Sequence, residues 1–202
     1  MKERIIIIGA SGHGKVVADI ASKIYREIIF LDDAEVTECM GYPVVGKSTK
    51  YREYLSSGDF FVAIGNAKIR KKIYKELELA GATIATLIHP NAVLAQEVQI
   101  GIGTVVMAGA VINPATVIGI GCIINTCASV DHDSIIGDFV HISVGAHLAG
   151  TVEIGKNSCI GAGATIINNV KVTEDCIIGA GAVVIKDIIE KGTYVGVPVK
   201  KI

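Results

Sequence analysis

The chain has 202 residues, half of them apolar and only 5% aromatic, with no Trp and a formal net charge of −1. That length holds one large domain or two small ones, and the near-neutral charge argues against a general nucleic-acid or anionic-membrane binder. No apolar run approaches the ~20 residues that span a bilayer, no signal-peptide pattern precedes the first strand, and five Cys without CxxC spacing read as free thiols of a reducing cytosol.

In chain order, residues 4–9, RIIIIG, predict a buried strand ending in a turn. The loop Ala10-Ser11-Gly12-His13-Gly14 follows, then a helix over 15–23. A second strand over 28–31 is closed by Asp32-Asp33. The spacing suggests a short helix over 51–55, a third strand over 60–64 closed by Gly65-Asn66, and a helix over 68–80 with Ile69, Ile73, Leu77 and Ala80 on one face. A last strand over 83–87 leads onward. Strands alternating with helices imply a small parallel sheet, an α/β domain over residues 1–86. The loop at Gly9, the Asp pair and Gly65 all follow strand C-termini, the edge where open parallel sheets bind ligands. A Gly-rich loop at a helix N-terminus favours a phosphate. Its spacing is G-x-x-G-x-G, not the dinucleotide fingerprint, and about 80 residues make only half of a dinucleotide fold. A single nucleotide joined to another group fits better, with Asp32 where an acid would grip a ribose. His13 is either a ligand contact or an exposed turn residue.

From residue 88 to 184 the period becomes six. Ile88, Leu94, Ile100, Val106, Ile112 and every sixth residue to Val184 are aliphatic, without insertion or deletion. Four residues after each aliphatic position except the last, Val184, comes Ala, Val, Thr, Cys or Ser, and Gly often follows it directly, as at Gly119, Gly137, Gly155, Gly161 and Gly179. These glycines read as the tight corners of a hexapeptide β-solenoid. Three hexapeptides make an 18-residue coil, so the tract predicts five to six coils stacked ~4.8 Å apart. No long loop escapes, so ligands must use faces or edges, best of all clefts between the prisms of an oligomer.

Polar residues that interrupt the repeat are candidates for chemistry. Asp131-His132-Asp133 falls near a corner, and a His beside an acid is the general-base pattern. His141 and His147 hold the same slot of successive hexapeptides and so belong on different faces. The three His are raw material for zinc, yet their spacing separates them, and no metal is expected. Asn125 fills a slot that Gly takes elsewhere, either capping a turn or meeting a ligand amine. His89 beside Pro90 reads as a junction residue.

Taken together, GASGHGKVV, IFLDD, DFFVAIGNAKIRKKIY, VDHDSIIGDFVHISVGAHLAG and the closing GVPVKKI resemble the hexapeptide-repeat sugar acyltransferases related to sialic-acid O-acetyltransferases, over essentially the whole chain. Within them, the resemblance is to the UDP-4-amino-sugar N-acetyltransferases of bacterial bacillosamine synthesis. It implies a Rossmann-like nucleotide-sugar-binding domain at 1–86 and an all-β left-handed parallel β-helix at 87–202. It implies a cytoplasmic homotrimer with active sites between subunits, acetyl-CoA as donor, and a UDP-linked 4-amino-4,6-dideoxy sugar as acceptor; O-acetylation of sialic acid or a related sugar is the alternative. By the same resemblance His132 is the general base, Asp133 the acid that tunes it, and Gly150 the oxyanion-stabilising amide. His141, Ala162 and Ala180 contact acetyl-CoA. Ser11, Gly12, His13, Asp32, Asp33 and Gly65 contact the nucleotide sugar, and Asn125 lies near the sugar amine. The relative in view carries Glu on both sides of this His where this chain has Asp, a shorter arm for the His–acid bond.

Overall fold

A computed structural model describes all 202 residues, which fall into two compact units, Met1–Leu87 and Ile88–Ile202. In the first unit, Lys2–Ile8 is the central strand of a three-stranded parallel sheet, between Tyr25–Leu31 and Asp59–Val62. Ile5, Ile6, Ile7 and Ile8 are all buried, the continuous apolar run of a strand covered on both faces. Helices α1 (Gly12–Ser22) and α2 (Ala67–Leu79) follow the first and third strands.

Three local readings change. The expected strand over 83–87 narrows to one parallel bridge of Ile84 with Phe60, while Leu87 begins a separate two-residue strand. The expected helix at 51–55 is a 3-10 helix over Ser48–Tyr54. In α2 the buried residues are Arg70, Tyr74 and Leu77, and Ile69 is 49% exposed. A small antiparallel ribbon, Glu38–Cys39 with Tyr42–Pro43, is not among the expected elements.

The second unit is a parallel β-solenoid whose strands are two residues long and stack in three faces. Face one runs from Val93–Leu94 through Val111–Ile112, Ser129–Val130, His147–Leu148 and Thr165–Ile166 to Val183–Val184. Face two runs from Gln99–Ile100 to Lys171–Val172. Face three includes Val105–Val106, Ile123–Ile124, His141–Ile142, Cys159–Ile160 and Cys176–Ile178. The repeating aliphatic residues from Val106 to Val184 point inward and form one continuous core with the small residues four positions later. A coil cannot enclose these side chains alone, so stacking supplies the core.

The corners differ from expectation. The residue in the left-handed conformation is three places after each aliphatic position, from Glu97 through Asp133 to Gly181 without a gap, and nine of these fifteen carry a side chain. The glycines directly after the aliphatic position serve stacking instead. A Cβ on Gly137 would lie 2.8 Å from the Lys156 nitrogen of the next coil, and one on Gly161 would lie 2.6 Å from the Ala180 nitrogen. Polar groups inside the prism are paired. The fully buried Ser134 hydroxyl accepts the Val152 N–H at 3.2 Å, and Ser158 does the same for Cys176 at 3.1 Å.

Ser134→Ala should therefore destabilise the solenoid by about 1–3 kcal/mol, because it strands a buried N–H without leaving a large cavity. Chemical denaturation at fixed protein concentration measures this, and an unchanged midpoint would contradict the pairing argument.

Candidate active site

Face one turns into face two at a corner that stacks Pro114, His132, Gly150 and Asn168 at one-coil intervals. Residue 133 is left-handed, with φ of 57°, and this bends its carboxylate back over the preceding side chain. Asp133 Oδ2 reaches His132 Nδ1 at 2.8 Å despite its short arm. The ionised acid accepts, so the Nδ1 hydrogen is held there and the lone pair is left on Nε2. Asp131 has a separate task. Its Oδ1 accepts the His132 backbone N–H at 2.8 Å and the Asn113 side-chain amide at 2.7 Å, which fixes the turn that carries the imidazole. The His132 pKa is raised above the usual 6.5, first by the Asp133 hydrogen bond, against a smaller desolvation effect, with the Asp131 and Asp133 charges adding to the rise. Asp131 titrates below the usual carboxylate range, held down first by the His132 N–H and then by Asn113.

One coil above, Gly150 has no side chain for a steric reason. A Cβ there would lie 2.5 Å from His132 Nε2 and 2.6 Å from its Cε1. The imidazole thus rests on the Gly150 backbone. Gly150, Ala162 and Ala180 also share one slot, two places after the aliphatic residue, where the backbone N–H takes no part in the coil-to-coil bonding. Pro90 and Pro114 occupy that slot, which agrees with an N–H that the ladder does not need. These three outward amides are the kind of donor that carbonyl and oxyanion oxygens require. A groove of about 380 Å³ runs along face one beside the His132 corner, lined by Asn113, Ser129, Asp131, His147, Thr165 and Asn168 among others.

The three solenoid His diverge. His132 is on the corner between faces one and two, His147 on face one, bonded through Nδ1 to the Ser129 hydroxyl at 2.8 Å, and His141 on face three. In a three-sided prism face three lies opposite the His132 corner, so His132 and His141 of one chain cannot meet on one ligand. No group of three or more His, Cys, Asp or Glu is placed to hold a metal ion. Asn125 bonds to His141 Nε2 at 3.1 Å. His89 Nδ1 caps the Asn91 N–H at 3.0 Å, a local turn contact.

In the first unit, Ser11, Asp32, Asp33 and Gly65 line one cavity of about 200 Å³ together with Gly9, Ser48, Ile69 and Ile73. Gly12 and His13 sit in the first turn of α1 and are not part of its lining. The loop is tight because Gly9 has φ of 108° and a Cβ on Gly14 would collide with the Gly9 carbonyl. Asp32 buttresses this loop: Oδ2 accepts the Ala10 N–H at 2.6 Å and Oδ1 the Ala34 N–H at 2.7 Å. Asp33 accepts the Ser48 N–H at 2.9 Å and its hydroxyl at 2.8 Å, and the Ser48 N–H is the main cause of its lowered pKa. Sequence reasoning missed Arg70. This residue is 1% exposed, and its Nη1 donates to the Ile64 and Gly65 carbonyls at 2.9 and 2.7 Å, which fixes the Gly65 edge of the cavity. A charged residue in the middle of a helix carried no signal of that role.

No helix of the chain is long and apolar enough to cross a membrane. The PglD N-terminal domain family matches residues 4–77, and the bacterial transferase hexapeptide family (six repeats) matches residues 133–168 and 151–186. A curated relative, UDP-N-acetylbacillosamine N-acetyltransferase of Bacillus subtilis (strain 168), is 37% identical over 108 residues, about half the length of each protein. The acetyltransferase domain of PglB from Neisseria gonorrhoeae FA1090 is 42% identical with a TM-score of 0.96, over 98% of this chain and 99% of that one. The same domain is known in complex with acetyl coenzyme A, there matched over 100% of both chains. PerB from Caulobacter crescentus, in complex with CoA and GDP-perosamine, is 36% identical with a TM-score of 0.91, over 98% of this chain and 96% of that one. With this likeness spanning both units, the chain belongs to the PglD-type, hexapeptide-repeat family of sugar N-acyltransferases.

Proposed function

We propose that this protein transfers the acetyl group of acetyl-CoA to the 4-amino group of a UDP-linked 4-amino-4,6-dideoxy sugar. The observation that carries the reading is the His132 corner. An imidazole is oriented by Asp133, presents its Nε2 lone pair, and lies against a backbone amide whose N–H is turned outward. The neutral amine attacks the thioester carbonyl carbon, and His132 Nε2 takes the ammonium proton as the C–N bond forms. The Gly150 N–H holds the negative oxygen, collapse breaks the C–S bond, and the proton on His132 passes to the leaving sulfur to give amide, free CoA thiol and neutral His132. His141, Ala162 and Ala180 hold the donor. Ser11, Gly12, His13, Asp32, Asp33 and Gly65 of the first unit hold the nucleotide sugar; the relatives that bind acetyl coenzyme A or GDP-perosamine support both halves. Because His132 and His141 lie on opposite sides of one prism, the working site needs His141 from a second copy. A homotrimer with three such clefts meets that need, and the setting is cytoplasmic, where acetyl-CoA is made available.

Acetyl-CoA with UDP-, dTDP- and GDP-linked 4-amino sugars should release free thiol and give an amide product with the UDP-linked acceptor. An ester formed on a hydroxyl acceptor alone would replace this reading with O-acetylation. In the same assay His132→Ala should slow turnover by ~10²–10⁴-fold, and an unchanged rate would remove His132 from the chemistry.

The raised pKa sets the sign of the pH dependence. A base whose proton is held more tightly becomes neutral only at higher pH, so the acid limb of kcat/KM should lie above 6.5. Asp133→Asn should lower the rate and move that limb down toward the ordinary His value. A limb that does not move would show that Asp133 leaves the imidazole unperturbed.

Gly150→Ala tests the close approach. The added methyl should displace the imidazole and lower kcat by at least ~10²-fold, the scale of misplacing a general base, with little change in thermal stability. Full activity in this variant would refute the contact.

A further inference from the structure

Asn125 follows the face-three strand Ile123–Ile124, and His141 stands one coil above it, with Ile123 and His141 as Cα partners. Asn125 Oδ1 accepts the Thr126 backbone N–H at 2.8 Å. A backbone N–H only donates, so this contact fixes which end of the amide is oxygen and leaves Nδ2 on the other side. Nδ2 lies 3.1 Å from His141 Nε2. An amide nitrogen has only hydrogens to give, so Nε2 must accept. The lone pair of the neutral ring is therefore on Nε2 and its hydrogen on Nδ1. The arm that enforces this is stiff, because the Asn125 backbone N–H is itself bonded to the Ile142 carbonyl at 2.9 Å.

We infer that Asn125 is a positioning residue on the donor side of the reaction. It locks His141 as the Nδ1–H tautomer, so that the imidazole meets a carbonyl oxygen of the acyl thioester or its amide-containing arm as a hydrogen-bond donor. This rests on the acetyl-transfer reading, which assigns His141 to the acyl donor. One Nδ2 hydrogen is directed at His141, and the inference gives Asn125 this task in place of a contact with the acceptor amine.

Asn125→Asp separates these roles. The substitution keeps the shape and the acceptor for the Thr126 N–H, but it replaces the donor with an acceptor and so drives the hydrogen onto His141 Nε2. Two measurements on the full-length chain follow. In ¹⁵N-histidine NMR, with the His141 signals assigned by their loss in His141→Gln, the wild type should show an unprotonated Nε2 and a protonated Nδ1. Asn125→Asp should show a protonated Nε2. In calorimetry, the Kd for acetyl-CoA should rise about tenfold in Asn125→Asp, the usual size of one lost hydrogen bond with its partner left unsatisfied. The KM for the amino sugar should stay within about twofold. Asn125→Ala, which removes the amide altogether, should weaken acetyl-CoA binding in the same direction and provides a second variant if the carboxylate disturbs folding. A wild-type Nε2 that carries hydrogen would overturn the inference. So would a raised amino-sugar KM with acetyl-CoA binding unchanged. If the wild type acetylates no amino sugar at all, the proposed function fails, while the tautomer and the acetyl-CoA titration still decide the role of Asn125.

Discussion

The constraint on which this molecule depends is the closure of each coil in eighteen residues with a left-handed residue at every corner. From Glu97 to Gly181 that conformation recurs every six residues without exception. For a residue with a Cβ the left-handed region is unfavourable, and Asn and Asp tolerate it better than most because their side chains bond locally. The strain is offset by the core, since each corner lets a strand return to register with the coil below and bury its aliphatic residue. At Asp133 the same corner conformation also places a side chain. It folds a carboxylate onto the neighbouring imidazole, and this is why the shorter Asp arm makes a full-length hydrogen bond.

A regular ladder also sorts backbone groups by slot. The position two places after the aliphatic residue leaves its N–H without a backbone partner, and Gly150, Ala162 and Ala180 all hold it. Amides of this kind are fixed in space by the coils on either side, so they need no reorganisation to meet a developing negative charge. At some corners a side chain takes this N–H, as Asp131 takes that of His132 and Asn125 that of Thr126, and at others none does. Gly150 matters because the His132 ring lies on it. The first unit works by the opposite logic. There the donors and acceptors are loops at strand ends, and side chains hold them: the partly buried Asp32 grips the Ala10 N–H, and the buried Arg70 grips the Ile64 and Gly65 carbonyls.

These two logics explain what could be read from the sequence. The six-residue period carries the solenoid, its core and its faces, because every coil repeats the same burial requirement. The Asp-His-Asp break stood out against that regularity. The function of the repeat glycines was not legible, since a glycine required by the close approach of the next coil looks the same in sequence as one required by a positive φ. The true left-handed slot is disguised by Ala115, Phe139 and Thr151. In α2 the apolar residues Ile69 and Ile73 signalled a core face but line a surface cavity, while Leu77 of that face is buried together with Tyr74 and Arg70. A helical period reports which residues leave water; it does not distinguish a core from a cleft. The role of Arg70 depends on carbonyls five and six residues away at a strand end, and no periodic signal encodes that meeting.

The two histidines show how one residue type takes opposite tasks. Both rings carry the hydrogen on Nδ1 and the lone pair on Nε2, by the donors and acceptors that surround them. At His132 the carboxylate of Asp133 engages the Nδ1 hydrogen, so the lone pair is left on Nε2. At His141 the amide of Asn125 engages the Nε2 lone pair, which puts the hydrogen on Nδ1. An acid partner and an amide partner thus hold the same tautomer from opposite ends, by the N–H at His132 and by the lone pair at His141. The two rings lie on opposite sides of one prism, so the fold keeps the two arrangements apart within a chain.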